Sequence, residues 1–329
     1  MQDIPNWPPV AHRTRGPRVE TIHTGGAVAL DNAGKLLWSI GDPDAKTFFR
    51  SSVKCWQALP LVKTGAADRF GFTPQELALA VASHEGEEYH AATAAGMLKK
   101  LGLGPEHLRC GAHPPYSRSA AYGLARRGER PSTLHNNCSG KHSGMLASCL
   151  HNGWSIEDYL RPDHPLQAMI RAEISAASGL PESDLPYGTD GCGVPTYYLP
   201  LRNMAKMFSA LGAAPSSEPL GRLGDAMRAH PEMVAGPEEF DTQLPIATQG
   251  RLITKRGGAA LGCLATRDGI GIVVKCGDGN HDVVPPLLMR GLEVLGLLQP
   301  AEREALHAFI APVQKNVAGA EIGELRVIV

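Results

Sequence analysis

The spacing of hydrophobic and polar positions changes character along the chain. After a polar lead, VETIHTGGAVALDNAGKLLWSIGD (residues 19–42) holds two β-rich runs on either side of Asp31-Asn32-Ala33-Gly34, which predicts a hairpin. From residue 51 to about 235 the pattern is helical. Thr73-Pro74-Gln75-Glu76 offers an N-cap, a first-turn proline and a capping-box glutamate ahead of LALAVAS, and AATAAGMLKKLGLG ends in glycine as a helix should. HSGMLASCLHNG, HPLQAMIRAEISAASG, LRNMAKMFSALG and GRLGDAMRAH predict further helices. Strand patterning returns in TQGRLITKRG, AALGCLATRD and GIGIVVKCGDG. PPLLMRGLEVLGLL and PAEREALHAFIAPV predict closing helices, and GELRVIV an edge strand.

Strands separated by short turns at both ends of the chain imply an antiparallel sheet to which both ends contribute. The expected fold class is α/β of the α+β kind, one domain over residues 1–329. Its sheet lobe takes residues 19–50 and 244–329, and its helical lobe residues 51–243. Lys+Arg 32 against Asp+Glu 33 gives a net charge of -1 with no dense basic stripe, so no nucleic-acid partner is expected. The N-terminus lacks an apolar signal core and no stretch approaches the roughly 20 apolar residues of a membrane span. A cytoplasmic location without membrane association is the expectation. The seven cysteines have no short repeated spacing and read as thiols.

The stretch RSSVKCWQALPLV (residues 50–62) surrounds a lysine with apolar side chains on nearly every side of a helical wheel. An ammonium is costly to remove from water, and a buried lysine tends to lose its proton instead. Ser51 and Lys54 stand at i, i+3 and share a helical face, so an amine base lies beside a hydroxyl nucleophile. S-x-x-K also occurs in surface helices, where the lysine is simply exposed.

Four further segments carry polar groups that could do chemistry. In VASHEGEEYH (residues 81–90), Ser83 ends an apolar run; the spacing of His84 and His90 does not match a helical zinc pair. In NNCSGKHSGM (residues 136–145), Cys138 and Lys141 stand at the start of a helix, where the dipole should lower the thiol pKa and disfavour a protonated lysine. GTDGCGVP (residues 188–195) offers Cys192 between glycines after Asp190. The two cysteines are compatible with a catalytic thiol, a disulfide or soft metal ligands. In ITKRGGAALG (residues 253–262), Lys255 precedes glycines as in a K-T-G motif, or is an edge-strand lysine that opposes aggregation.

Taken in order, RSSVK, VASHE, NCSGKH, GTDGC and HPEMVAG (residues 230–236) resemble the asparaginase II family, the rhizobial-type L-asparaginases. The resemblance spans residues 19 to 318 or so. It implies the fold of serine β-lactamases and glutaminases, an antiparallel sheet flanked by helices plus a helical lobe. It further implies hydrolysis of L-asparagine by a Ser-Lys mechanism, one Zn2+ per chain, and a homodimer. Position by position, Ser51 matches the nucleophile and Lys54 its base, while Ser83 and Lys255 match a second Ser-Lys pair. Cys138, Lys141 and Cys192 match zinc ligands, and Arg50, His142 and Asp190 fall in the same motifs, either supporting the site's residues from behind or contacting the substrate. Where the family commonly has K-P-x-Q, this chain has Lys54-Cys55-Trp56-Gln57; a proline lost from a first helical turn alters the helix little. The alternatives are a glutaminase, whose substrate is one methylene longer, a Ser-Lys β-lactamase, and a non-catalytic zinc module.

Overall fold

The structure is a computed structural model and describes residues 5–329. The chain divides into two compact units. One takes the residues up to Ser52, Tyr198–Ala213 and Gln243–Val329; the other takes Val53–Tyr197 and Ala214–Thr242.

Strands in chain order are β1 (Pro9–Arg15), β2 (Arg18–Leu30), β3 (Leu36–Ile40), β4 (Lys46–Phe48), β5 (Tyr187–Thr189), β6 (Pro195–Pro200), β7 (Leu252–Gly257), β8 (Leu261–Thr266), β9 (Gly271–Cys276), β10 (Val313–Lys315) and β11 (Glu321–Val327). The first unit is built on an eight-stranded sheet of order β10-β11-β1-β2-β9-β8-β7, with β3 also paired to β2. Every pairing in it is antiparallel, as expected. The β2–β3 hairpin turns where the sequence places it. The Asp31 carboxylate accepts from the N–H groups of Ala33 and Lys35, both at 2.9 Å, an Asx-type local bond that competes with continued strand.

Two strand readings change. The polar lead is partly strand: β1 buries only Val10 and Ala11, so it shows little alternation, yet β2 and β11 pair with it on both sides. GELRVIV is not an edge, because the short Val313–Lys315 strand closes its outer side through backbone pairing alone. The helix expected from PAEREALHAFIAPV ends at Ala305 and continues only as a 3-10 turn, His307–Phe309.

β8 and β9 are buried at every position. Residues of opposite parity point to opposite sheet faces. Ala265 lies against Gly212 of helix Leu201–Ala213, while Gly262 lies against Val284 and Leu288 of helix Val284–Val294. The core of this unit is therefore a sheet covered by one helix on each face.

The second unit is mostly helical and centres on helix Ser139–Asn152, which is buried from Ser139 to Cys149. A helix buried all round needs neighbours all round. These are Leu59–Lys63, Ala66–Arg69, Pro74–Ala80, Glu88–Lys100 and Pro165–Ser178. The capping box at Thr73 forms as its sequence predicts: Glu76 N–H donates to Thr73 Oγ1 at 3.3 Å and Thr73 N–H to Glu76 Oε2 at 2.7 Å. In the same unit β5 pairs with the first half of β6, and the loop Asp190–Val194 joins them. No described helix is long and apolar enough to cross a membrane.

Candidate active site

In the helical unit, Lys54 opens the short helix Lys54–Gln57 and is fully buried. Its Nζ meets the carbonyls of Ala82 and Asn137, the latter at 3.2 Å, and Ser83 Oγ at 3.0 Å. No carboxylate pairs with it among the described residues. Burial pulls its pKa below the ordinary lysine value; Cys138 opposes this and Lys141 reinforces it. A neutral amine has two hydrogens and one lone pair. The amine stands as donor to both carbonyls and to Ser83 Oγ; on losing its proton it could accept from that hydroxyl.

Cys138, Lys141 and Cys192 come together as the sequence motifs suggest. Lys141 Nζ donates to Cys192 Sγ at 2.9 Å, and the Cys138 thiol donates to the same sulfur. The protonation pattern differs from the helix-dipole expectation. It is Cys192 that falls, to about 5, because the Cys138 hydrogen bond and the Lys141 charge outweigh its burial. Cys138 rises to about 12, through that same bond to Cys192 and through burial. Burial pulls Lys141 down, but Cys138 and Cys192 outweigh it and hold the amine protonated. Neighbouring charges at hydrogen-bond distance dominate the partial charge of a helix end. All seven cysteines are buried thiols, which excludes the disulfide reading.

Several contacts fix this cluster. Asn136 Oδ1 accepts from Cys138 N–H at 2.8 Å, while its Nδ2 donates to the carbonyls of Cys110 and Gly111 at 2.9 and 3.1 Å. His84 Nδ1 accepts from Gly86 N–H at 3.1 Å, so Nε2–H donates to Ser139 Oγ at 2.9 Å. A Cβ on Gly140 would lie 2.3 Å from the Leu79 carbonyl oxygen, so only glycine lets this helix meet the segment leading to Ser83. Cys192 sits in a tight loop closed by Asp190 N–H to Val194 O and Gly193 N–H to Asp190 O, both 2.9 Å, with Gly193 at φ 88°.

The sheet unit carries the other candidates. Arg50 and Ser51 lie in the 3-10 turn Arg50–Val53, both half-buried, with Arg50 in the left-handed region at φ 49°. Non-glycine residues held there are strained, and such strain collects at functional sites. Lys255 lies on β7, at the sheet edge, yet is fully buried, which rules out the role of an exposed edge lysine; its Nζ donates to Arg256 O at 3.0 Å. Ser52 Oγ donates to the Lys255 carbonyl at 2.9 Å. A Cβ on Gly258 would fall 2.9 Å from Arg50 Cζ, so the missing side chain leaves room for the guanidinium against the backbone.

Sequence comparison adds what geometry cannot. The L-asparaginase II family matches residues 11–327. The chain belongs to the L-asparaginase II family. Membership in L-asparaginase II makes it an amidohydrolase by family. No curated protein matches it. Among solved structures it is similar to a β-lactamase candidate from Bacteroides dorei, with 13% identity, TM-score 0.42, and coverage of 81% of this chain and 92% of that one. It is also similar to a β-lactamase from Mycobacterium bovis at 12% identity and TM-score 0.43, covering 83% and 95%. A third, Mglu in its native form, shows 15% identity and TM-score 0.40, covering 84% and 62%.

A second group with metal-binding donors escaped the sequence reading of this family member. His23, Cys276 and Asp278 place ligand atoms within 4.8 Å of one another and could hold a metal ion. As they stand, the Cys276 thiol donates to Asp278 Oδ1 at 2.9 Å and His23 Nδ1 lies 2.6 Å from Asp278 Oδ2. His23 is far in sequence from Cys276 and Asp278, and the β2–β9 pairing brings it to them. Ser52 and His84 were missed because the carbonyl of Lys255 and the hydroxyl of Ser139 that they meet are remote in sequence.

Proposed function

We propose that this protein is an L-asparaginase, hydrolysing L-asparagine to L-aspartate and ammonia through an acyl-enzyme. The observation that carries the reading is the Lys54 amine, buried with no carboxylate partner among the described residues, depressed in pKa and set against the hydroxyl of Ser83. Family membership supports the substrate.

Ser51 is the nucleophile and Lys54 the base. Lys54 takes the hydroxyl proton as Ser51 Oγ bonds to the side-chain amide carbon. As the tetrahedral oxyanion collapses, the C–N bond breaks and the same proton leaves with ammonia. Water then attacks the ester, Lys54 takes its proton, and aspartate departs with Ser51 restored. Ser83 relays protons to and from Lys54, a role its 3.0 Å contact supports. By family resemblance Lys255 belongs with Ser83 to a second Ser-Lys pair. Backbone N–H groups at the start of the Ser51 turn serve the oxyanion. Arg50, His142 and Asp190 contact the substrate.

Cys138, Lys141 and Cys192 fit a zinc ion: two sulfurs and an amine already meet through hydrogen bonds whose protons a metal would replace. When bound, zinc supplies a positive Lewis-acidic centre with a position for a small oxygen or nitrogen ligand. The assembly is proposed to be a homodimer, by family resemblance.

Ammonia release from asparagine, compared with glutamine, tests the reading. One methylene in a fitted pocket separates them by about 1 to 3 kcal/mol, so asparagine should be favoured ~10-fold or more in kcat/KM. Equal or reversed preference makes it a glutaminase, and no release from either overturns the proposal.

A further inference from the structure

Tyr159 is fully buried, and its phenol oxygen stands between two nitrogens. The backbone N–H of Arg109 donates to it at 3.0 Å, and His142 Nδ1 lies 2.8 Å away. The Tyr159 and His142 rings meet edge to face, centroids 5.6 Å apart at 74°. Gln167 Nε2 donates to the Tyr159 carbonyl at 2.9 Å and holds that residue in place.

These contacts fix the direction of each proton. A backbone N–H can only donate, so one phenol lone pair is taken by Arg109. The phenolic hydrogen has His142 Nδ1 as its acceptor, and no other acceptor is seen for it among the described residues. If Nδ1 carried the ring proton instead, the oxygen would receive two donors and its own buried hydrogen would have none. Buried donors are rarely left so. The imidazole therefore accepts at Nδ1 and carries its proton on Nε2.

His142 Nε2 is buried and has no hydrogen-bond partner among the described residues. Its electrostatic neighbours are Lys141, Cys138, Lys54 and Asp190, the groups of the candidate site. It is not placed as a metal ligand: among the described residues, no trio of His, Cys, Asp or Glu donors other than His23, Cys276 and Asp278 closes within 4.8 Å. An oriented N–H without an acceptor is suited to an oxygen brought by a ligand.

We propose that His142 Nε2–H donates to an oxygen of the bound amino-acid amide, and that Tyr159 is the positioning residue that fixes this tautomer. The identity of the ligand rests on the asparaginase reading; the tautomer does not.

The test is long-range nitrogen–proton correlation on the purified protein labelled with 15N-histidine, with His142→Gln identifying the resonance by its loss. A protonated Nε2 and a bare Nδ1 are expected for His142, with the Nε2 signal shifting when L-aspartate is added. Tyr159→Phe should give a mixed tautomer pattern and raise KM for asparagine about tenfold while changing kcat less and leaving metal content unchanged. A bare Nε2 in the unsubstituted protein overturns the proposal, as does an Nε2 signal indifferent to aspartate, or a Tyr159→Phe protein matching the parent in both spectrum and KM. If Tyr159→Phe does not fold, the parent spectra decide. Absence of ammonia release defeats the asparaginase reading, whereas the ligand-free spectrum judges the tautomer by itself.

Discussion

Ser52 donates its hydroxyl hydrogen to the backbone carbonyl of Lys255 at 2.9 Å. Both groups are buried, and the bond ties the turn that carries Arg50 and Ser51 to the strand that carries Lys255. Replacing Ser52 with alanine leaves a buried carbonyl without this donor. It is expected to lower stability by about 1 to 3 kcal/mol and to reduce kcat, read by denaturant unfolding and ammonia release. Unchanged values in both would show that the tether does not position the turn.

Ser51→Ala is expected to abolish turnover, and Lys54→Met likewise. Ser83→Ala should reduce kcat while leaving a measurable rate, because it removes a relay and not the acylated oxygen. Mass spectrometry of protein quenched during turnover should find the aspartyl ester on Ser51. An ester on Ser83, the hydroxyl that meets Lys54 Nζ, would exchange the two serines' roles.

Because burial lowers the Lys54 pKa, the base is neutral above a folded value that lies below the ordinary ~10.4 of lysine. Activity should fall as pH drops through that value, when the amine gains a proton, and level off above it. The rate of the acylation burst against pH checks this. A limb centred on the ordinary lysine value would show that Lys54 is not depressed as the base requires.

Metal binding at Cys138, Lys141 and Cys192 should be strongly pH-dependent. Cys192, at about 5, is already a thiolate near neutrality, but Cys138, at about 12, and the protonated Lys141 must each lose a proton to become ligands. Release of two protons steepens affinity by about 100-fold per pH unit below their pKa values, measured by competition with a chromophoric chelator. Cys192→Ser should remove zinc from the purified protein. Zinc retained in that variant and lost in Cys276→Ser would move the metal to the His23, Cys276 and Asp278 group.

Gly140→Ala places a methyl 2.3 Å from the Leu79 carbonyl oxygen, a backbone atom that cannot step aside. A loss of about 1 to 3 kcal/mol is expected, with weaker metal binding as Cys138 and Lys141 shift with their helix. A Tm equal to that of the parent would contradict the close approach.

Local pattern by itself determined much of this protein. The β2–β3 hairpin, the Thr73 capping box and the helices ending at Gly153 and Gly179 follow from turn chemistry and periodicity, which depend on near neighbours. The motifs named Lys54, Ser83, Lys141 and Cys192, but they paired Lys54 with Ser51 and Ser83 with Lys255; it is the structure that sets Lys54 against Ser83 and Lys141 against Cys192. Tertiary structure decided what depends on distant partners. β1 and β10 are strands because neighbouring strands pair with their backbones, although their side chains hardly alternate. The helix end at Ser139 suggested a depressed Cys138, yet the hydrogen bond from Cys138 to Cys192 puts the negative charge on the other sulfur. His142 could be named from its motif, but which of its nitrogens faces the site was fixed only by Tyr159 and Arg109, since the direction of a buried hydrogen bond is set by every partner around it.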